Sequence, residues 1–292
     1  MTKPKVIFVV GPTAVGKSAF ALNMAKETDG EIVSADSMQV YKGLDIGTAK
    51  PSADERNRIP HYMIDVADPT EDYSAAEYSE AAQAVIDKII KRGKQPIVCG
   101  GSGLYIHSLI YELDFAGSPA DEDLRESLLL EAEEKGAGHL FEKLLKIDPT
   151  AAEHVHPNNV KRVIRALERA YGEIENEGLR DFSGTFEAIQ RYEARIIRLT
   201  MDRKALYERI ERRTVRFFSR GLIDEVKNLL DSGVPRDSNA MQGIGYKEVV
   251  SMLAGEYDES EALRLVQQNT RRYAKRQETW FKRYTEAEII IN

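Results

Sequence analysis

The chain has 292 residues, of which 42% are hydrophobic and 30% are charged. This length and balance are typical of a globular protein of about two domains, and they exclude collagen-like, low-complexity and wholly disordered classes. Lysine and arginine number 41 against 48 aspartate and glutamate, so the formal net charge of −7 at first argues against a nucleic-acid partner. The single cysteine, Cys99, allows no intramolecular disulfide, which favours a reducing compartment.

Short apolar runs alternate with helical patterns in the first third of the chain. The pattern predicts strands at 6–10, 32–35 and 96–99, with helices at 17–27 and 74–91. Because the run at 6–10 is far too short for a signal peptide or a membrane span, we predict a cytoplasmic protein that does not enter a membrane. Such alternation indicates a parallel sheet with helices on both faces.

The pattern changes in the middle of the chain and then returns. Residues 113–194 carry charged helical stretches at 121–135 and 159–171 with no convincing strand. A strand is predicted again at 195–200, and the remaining predicted elements are helices at 203–220, 222–231, 246–253 and 260–284.

Residues 11–18 match the phosphate-binding pattern G-x-x-x-x-G-K-[ST] between a predicted strand and a predicted helix. The predicted phosphate-binding residues are Gly11, Pro12, Thr13, Ala14, Val15, Gly16, Lys17 and Ser18. Lys17 would place a point charge on the terminal phosphate, and the Ser18 hydroxyl would bind Mg²⁺. This P-loop specifies a polyphosphate but leaves open which one: the nucleotide of an ATP-binding kinase or NTPase, or the diphosphate of another donor.

One carboxylate is well placed beside this loop. Asp36 follows the second predicted strand, whereas the third strand runs into Cys99 and glycines with no acid. Since ligands bind beyond the carboxyl ends of parallel strands, we expect Asp36, Ser102 and the P-loop to face one crevice. A helix cap, or an indirect contact to magnesium, is the alternative role for Asp36.

Longer blocks resemble one family. The run at 36–51 resembles the signature of tRNA dimethylallyltransferases, also called tRNA isopentenyltransferases, and the blocks at 100–106, 156–168, 244–248 and 270–281 agree with it in order. The resemblance implies a P-loop NTPase-like α/β core with a mostly parallel sheet and an inserted helical domain. We therefore divide the chain into core residues 1–112, a helical insertion at 113–194 and core residues 195–292. With one cysteine the chain cannot carry the zinc-finger tail of members from nucleated cells, so the likeness is to the bacterial form.

The resemblance also implies a reaction. The dimethylallyl group of dimethylallyl diphosphate would pass to N6 of the adenosine at tRNA position 37, with release of pyrophosphate and with Mg²⁺ as cofactor. The implied catalytic residues are Asp36, Thr13, Ser102 and Arg213. Asp36 would accept the N6 proton as the new bond forms, and Arg213 would bind the pyrophosphate. Arg213 lies among arginines spaced three and four residues apart, for which a solvated basic face or the lid of a kinase is the alternative.

The implied tRNA-binding residues lie in five separate parts of the chain. Ser37, Met38 and Gln39 would border a channel for a flipped base, while Val40 belongs to the core. The full predicted set is Asp36, Ser37, Met38, Gln39, Ser102, Arg125, Lys161, Arg162, Val163, Ile164, Arg165, Arg271, Arg272, Lys275 and Arg276.

The distribution of charge removes the objection to RNA. Residues 112–153 hold twelve acidic and four basic side chains, whereas residues 263–284 hold seven basic and one acidic. Trp280 and Phe281 in the basic segment are assigned to the core rather than to base stacking. We expect a monomer that binds a tRNA anticodon stem-loop, with a P-loop small-molecule or nucleotide kinase and a non-catalytic RNA-binding module as the rival readings.

Overall fold

The computed structural model describes residues 3–111, 113, 122–171 and 190–292. The chain divides into two compact units: Met1–Glu112 together with Ile189–Asn292, and Leu113–Ala188. The second unit interrupts the first one in the chain.

The first unit is built on one six-stranded sheet. Its strands are β1 (Lys5–Val10), β2 (Gly30–Ala35), β3 (His61–Tyr62), β4 (Gln95–Gly100), β5 (Glu193–Thr200) and β6 (Glu288–Ile291). They lie in the order β3-β2-β4-β1-β5-β6, and each neighbouring pair is parallel. The prediction of an α/β fold with a mostly parallel sheet is confirmed.

Helices cover this sheet and make up the second unit. In chain order they are α1 (Lys17–Thr28), α2 (Ala53–Arg58), α3 (Ala75–Lys91), α4 (Gly103–Ile110), α5 (Glu122–Lys135), α6 (Ala137–Ile147), α7 (Pro149–Glu153), α8 (Val160–Tyr171), α9 (Arg203–Ser219), α10 (Leu222–Asp231), α11 (Tyr246–Leu253) and α12 (Glu259–Phe281). Helices α5 to α8 belong to the second unit and the others to the first.

The apolar runs of the sequence form the centre of the sheet. In β1, Val6 and Phe8 are fully buried, and so are Val9 and Val10, whose side chains point to opposite faces. A strand that is buried on both faces must carry apolar residues continuously rather than alternately, which is why the sequence showed an unbroken run here. Because β2, β4 and β1 are neighbours and run parallel, their carboxyl ends lie side by side at one edge of the sheet.

Two boundaries differ from the prediction. The strand predicted at 195–200 begins two residues earlier, because β5 pairs with β1 from Glu193 onward. Helix α12 ends at Phe281 rather than residue 284, and the chain then adds β6, which the sequence analysis did not predict. A four-residue edge strand with only one partner carries too weak a pattern to be recognised from sequence alone.

The second unit has its own apolar core. Leu128 of α5, Leu140 and Leu144 of α6, and Val163 and Leu167 of α8 pack together within it. Glu168 is buried beside this core and is paired with Arg125 and Arg165, so its charge is compensated. Among the helices that the structure describes in either unit, none is long and apolar enough to cross a membrane.

Candidate active site

The P-loop connects the end of β1 to the start of α1 at the edge of the sheet. Gly11 and Gly16 have φ angles of +142° and +105°, a region that only glycine enters without strain. These two turns curl the backbone between them, and α1 begins at Lys17 with its positive dipole end at the loop. Successive backbone N–H groups and a helix N-terminus together form an anion-binding cradle.

Lys17 is held inside this cradle. Its Nζ donates to the carbonyl oxygens of Gly11 at 3.0 Å and Pro12 at 2.8 Å. Burial of the ammonium lowers the pKa of Lys17 to about 8, and the positive charge of Arg213 acts in the same direction. A bound anion would reverse both effects, so the site favours a ligand that brings negative charge to Lys17.

Asp36 follows β2 directly and lies beside the P-loop. Its Oδ1 accepts hydrogen bonds from the backbone N–H groups of Met38 at 2.9 Å and Gln39 at 3.4 Å. Within the described part of the chain, both of these bonds use Oδ1, which leaves Oδ2 to act on a ligand. Asp36 therefore holds the turn at residues 37–40; this is not the helix cap considered as its alternative role, because a turn and not a helix follows Asp36.

Arg213 lies on α9 and points into the same crevice. Its Nη1 donates to Oγ1 of Thr13 at 3.4 Å, and its guanidinium lies 5.2 Å above the Phe217 ring. Burial lowers the pKa of Arg213, and the charge of Asp36 opposes that shift. Because arginine starts from a very high pKa, the guanidinium stays charged in this confined space next to the P-loop.

A polar cavity of about 410 Å³ opens over the P-loop. Lys17 and Ser18 line it on one side, and four arginines of α9 line it on the other. Those arginines are Arg209, Arg212, Arg213 and Arg216. Among the described residues, Asp36 is the one carboxylate in the lining, so the cavity is strongly positive and suits a polyphosphate.

A second cavity of about 310 Å³ adjoins the first and has a different character. Apolar side chains line much of it, among them Ile210, Phe217, Ile244 and Val266. The residues that line both cavities are Thr13, Asp36, Thr48, Arg213 and Tyr273. A cavity lined by several cations and a cavity lined in part by aliphatic and aromatic side chains therefore meet at the Asp36 carboxylate.

Comparison with known proteins identifies the family. The family model described as IPP transferase matches residues 39–284, a stretch that begins after the P-loop and therefore does not depend on it. This chain belongs to the IPP transferase family. The family resemblance stated from the motifs is confirmed.

Relatives named tRNA dimethylallyltransferase match the chain over nearly its full length. The one from Alkaliphilus metalliredigens is 49% identical over 284 residues, which cover 97% of this chain and 90% of the relative. The one from Acetivibrio thermocellus is 48% identical over 278 residues, which cover 95% and 88%. An IPP transferase with this likeness is an enzyme of the tRNA-modifying class.

Solved structures agree with the sequence comparison. The full-length tRNA isopentenylpyrophosphate transferase from Bacillus halodurans has a TM-score of 0.73 at 42% identity and covers 99% of this chain and 90% of its own. A eukaryotic dimethylallyltransferase acting on tRNA has a TM-score of 0.79 at 28% identity, with 99% and 74% covered. The P-loop NTPase-like fold expected for an IPP transferase is confirmed.

The tRNA-binding residues predicted on α8 divide between surface and core. Lys161 and Arg162 are exposed, whereas Val163 and Ile164 are 0% and 3% exposed in the core of the second unit. The prediction for Val163 and Ile164 is corrected, because side chains packed in this core present no surface to RNA. Consecutive positions of a helix point in different directions, so a contiguous block of five cannot all face one ligand. Arg165 lies on the partly exposed side and pairs with Glu168, as does Arg125.

Helix α12 carries the predicted basic stripe of this IPP transferase. Arg272, Lys275 and Arg276 are exposed, and Arg271 is paired with Glu211 at 2.9 Å. Phe281 is fully buried, which confirms its assignment to the core. Trp280 is partly buried and packs so closely on Gly103 that a side chain there would lie 2.6 Å from the indole.

Ser102 does not line either cavity, contrary to the expectation that it faces the crevice. Its Oγ accepts a hydrogen bond from the Ser37 N–H at 2.9 Å, so it orders the segment that carries Asp36. Sequence reasoning missed two residues of α12, Tyr273 and Gln277, which line the polar cavity. In the sequence, these two residues are a tyrosine and a glutamine four positions apart on an apolar stripe, a pattern that predicts ordinary helix packing. Their place in the cavity becomes visible only when the neighbouring loops are known.

Proposed function

We propose that this chain transfers the dimethylallyl group of dimethylallyl diphosphate to N6 of the adenosine at tRNA position 37 and releases pyrophosphate. The observation that carries the proposal is the junction, at Asp36, of a cation-lined cavity with a second cavity that has aliphatic and aromatic side chains in its lining. This arrangement accommodates the two parts of the donor, an anionic diphosphate and a five-carbon apolar group. Relatives that match almost the whole chain are named tRNA dimethylallyltransferase.

The diphosphate binds to the polar cavity. The bond between the first allylic carbon and the bridging oxygen breaks, and its electron pair leaves with the pyrophosphate. Lys17, Arg213 and the P-loop amides stabilise the charge that grows on this leaving group, which is the step at which fixed cations accelerate the reaction most. The Thr13 hydroxyl belongs to the P-loop, accepts a hydrogen bond from Arg213 and acts on the same leaving group.

The nucleophile is an exocyclic amine whose lone pair is delocalised into the adenine ring. As N6 forms its bond to carbon, it must lose a proton, and Oδ2 of Asp36 accepts it. A positioned base of this kind typically contributes about 10²–10⁴-fold. Because its Oδ1 is held by two backbone N–H groups, the Asp36 carboxylate is fixed in orientation before the substrate arrives.

Magnesium fits the donor set only as an ion shared with the substrate. Among the residues that the structure describes, no group of three or more histidine, cysteine or acidic side chains could hold a metal. Mg²⁺ is usually bound by one or two protein oxygens together with substrate phosphates and waters. Ser18 would hold it in the polar cavity, and it would supply further charge stabilisation to the leaving pyrophosphate.

The target adenosine reaches Asp36 when its base is turned out of the anticodon loop. Ser37 and Met38 line the second cavity together with Lys247 and Arg276, so this cavity has a polar rim as well as an apolar floor. Gln39 is held by Ser34 and by the Thr48 carbonyl, which orders the wall of the polar cavity. We also propose that the protein is a monomer and that it acts in the cytoplasm.

The test supplies labelled dimethylallyl diphosphate, Mg²⁺ and unmodified tRNA with adenosine at position 37, in parallel with ATP. We expect label transfer without ATP. ATP-dependent phosphorylation of a small molecule with no prenyl transfer would support the kinase instead, and tRNA binding with neither activity would support the RNA-binding module.

The same assay tests the role of Asp36. Asp36→Ala should lower transfer by about 10²–10⁴-fold while tRNA affinity changes little, since the lost group is a proton acceptor. Asp54→Asn, which alters an exposed acid on α2, is the matched control and should transfer normally. Normal turnover in Asp36→Ala would refute the assignment.

A further inference from the structure

A buried amide lies behind the polar cavity. Gln277 of α12 is 5% exposed, and both ends of its side chain are used. Its Oε1 accepts a hydrogen bond from the backbone N–H of Thr13 at 2.8 Å, and its Nε2 donates to the carbonyl oxygen of Gly101 at 2.9 Å. One side chain therefore joins the loop after β1 to the loop after β4.

Each of these loops leads to a different part of the chemistry. The first one carries Thr13, whose hydroxyl accepts from Arg213 on the leaving-group side. The second continues to Ser102, whose Oγ accepts from the Ser37 N–H, next to Asp36. The two loops reach α12 from neighbouring strands and meet through Gln277.

Tyr273, one turn earlier on α12, lies next to this link. Its side chain is close to Ser102 and Gln277 and lines the polar cavity. Burial raises the pKa of Tyr273 to about 12, so the phenol stays neutral. Hydrogen bonds therefore hold Thr13 and Gly101 to Gln277, and Ser37 to Ser102, with the Tyr273 ring packed beside both.

We propose that Gln277 is a positioning residue, which sets the distance between the leaving-group side of the site and the proton-accepting side. The inference rests on the proposed function. An amide is required at this position because it presents one acceptor and one donor, and the two loops supply a donor and an acceptor in turn. A misplacement of about 1 Å between reacting groups can cost about 100-fold in rate, so a brace of this kind is felt at the chemical step.

The close approach of Gly101 supports the same role. A Cβ on Gly101 would lie 2.2 Å from Nε2 of Gln277, so any larger residue there would push the amide out of its place. Gly101→Ala is therefore a second, independent way to disturb the brace without altering Gln277.

The test compares Gln277→Met, which keeps the length of the side chain and removes both hydrogen bonds, with Gln267→Met as the matched control. Gln267 lies on α12 as well and lines neither cavity. In the transfer assay, we expect kcat of Gln277→Met to fall by about 30-fold or more. The KM for dimethylallyl diphosphate and the inhibition constant of pyrophosphate should stay within about threefold, because Lys17 and Arg213 keep their charges. Gln267→Met should behave like the unaltered chain, and Gly101→Ala should show the same fall in kcat.

Three outcomes would overturn the inference. Unchanged kcat in Gln277→Met would show that the brace does not act on the reaction. A loss carried entirely by KM would make Gln277 a donor-binding residue rather than a positioning residue. If Gln277→Met has no cooperative melting transition, Gln277→Asn replaces it in the test, because asparagine keeps the amide on a side chain one carbon shorter. A normal kcat in Gln277→Asn is the third outcome that would overturn the inference. If the unaltered chain transfers no dimethylallyl group, the proposed function is wrong, and the inference about Gln277 is wrong as well.

Discussion

Lys17 shows how burial prepares a single residue for its ligand. Its ammonium is buried and lies near Arg213, so the protonated form is destabilised and its pKa is lowered to about 8. The ordinary value is 10.5, so between these two pH values the unfolded chain holds more protons than the folded one. The contribution of Lys17 to stability therefore rises with pH across that interval. Binding follows the opposite trend, because the diphosphate requires the proton.

We predict that pyrophosphate affinity falls more steeply between pH 7 and pH 9 in the unaltered chain than in Lys17→Arg. With a pKa of about 8, the protonated fraction of Lys17 drops roughly tenfold over this range, whereas an arginine keeps its charge. Calorimetric titration at pH 7, 8 and 9 measures the difference, and the ionisation of pyrophosphate itself is common to both proteins. Parallel curves for the two proteins would show that Lys17 does not titrate in the site.

Residues inside a motif were more predictable than residues that serve it from elsewhere. Lys17, Ser18 and Asp36 were identified because they lie within or next to contiguous patterns whose chemistry is local. Gln277 could not be identified, because its partner Thr13 is 264 positions away in the chain. Ser102 was identified from its family position, but the structure uses its hydroxyl to hold Ser37.

At the scale of elements, the segment after Asp36 is held by helices from the far end of the chain. Glu225 of α10 accepts hydrogen bonds from the N–H groups of Asp45, Ile46 and Gly47, and from the Tyr246 hydroxyl at 2.6 Å. Gly47 lies against Tyr246 so closely that a Cβ would come within 2.6 Å of the ring. One carboxylate thus joins a loop of the first half to α10 and α11.

We predict that Glu225→Gln lowers the free energy of unfolding by about 1–2 kcal/mol. The amide that replaces one carboxylate oxygen cannot accept from backbone N–H groups, so donors that were satisfied lose their partner. The loss is limited because Glu225 is partly exposed and water can reach the site. Urea denaturation measures the change, with Asp224→Asn, an exposed neighbour on the same helix, as the control. Equal midpoints for the two variants would contradict the role of Glu225.

Most of the long helices were predicted, although α6 was not, and the shortest elements were missed. The helical pattern of α9 and α10 placed both within a residue of their observed ends, since an amphipathic face repeats over several turns. The short elements α2, α7, β3 and β6 were not predicted, because fewer than two helical turns or a few strand residues show no repeat. Their existence depends on partners such as β2 for β3 and β5 for β6.

At the scale of the whole molecule, charge is distributed unevenly over an acidic chain. Residues 263–284, most of which lie in α12, hold seven basic side chains against one acidic one, and several of them are exposed. The excess acid lies mainly in residues 112–153. The net charge of −7 therefore says little about the surface that a nucleic acid would meet.

We predict that the double variant Arg272→Gln with Lys275→Gln weakens tRNA binding and reduces its salt dependence. Each lost phosphate contact should lower the slope of log affinity against log salt by about 0.7–0.9. Fluorescence titrations of labelled tRNA across a series of salt concentrations measure that slope. The control removes two exposed lysines of α3, Lys88→Gln with Lys91→Gln, and changes the net charge equally. Identical slopes for both double variants would mean that α12 does not contact the RNA backbone.

Features that depend on neighbouring residues could be predicted from the amino-acid pattern: the P-loop, the strands whose apolar runs form the sheet centre, most of the long helices and the family. These features follow from local backbone geometry and from patterns that repeat over adjacent positions. The side-chain contacts could be known only from the folded chain. Val163 and Ile164 are buried in the core of the second unit, Oδ1 of Asp36 accepts hydrogen bonds from the turn that follows it, and Gln277 joins two loops. The burial of the α8 residues and the bonds of Gln277 depend on packing between segments that are distant in the chain.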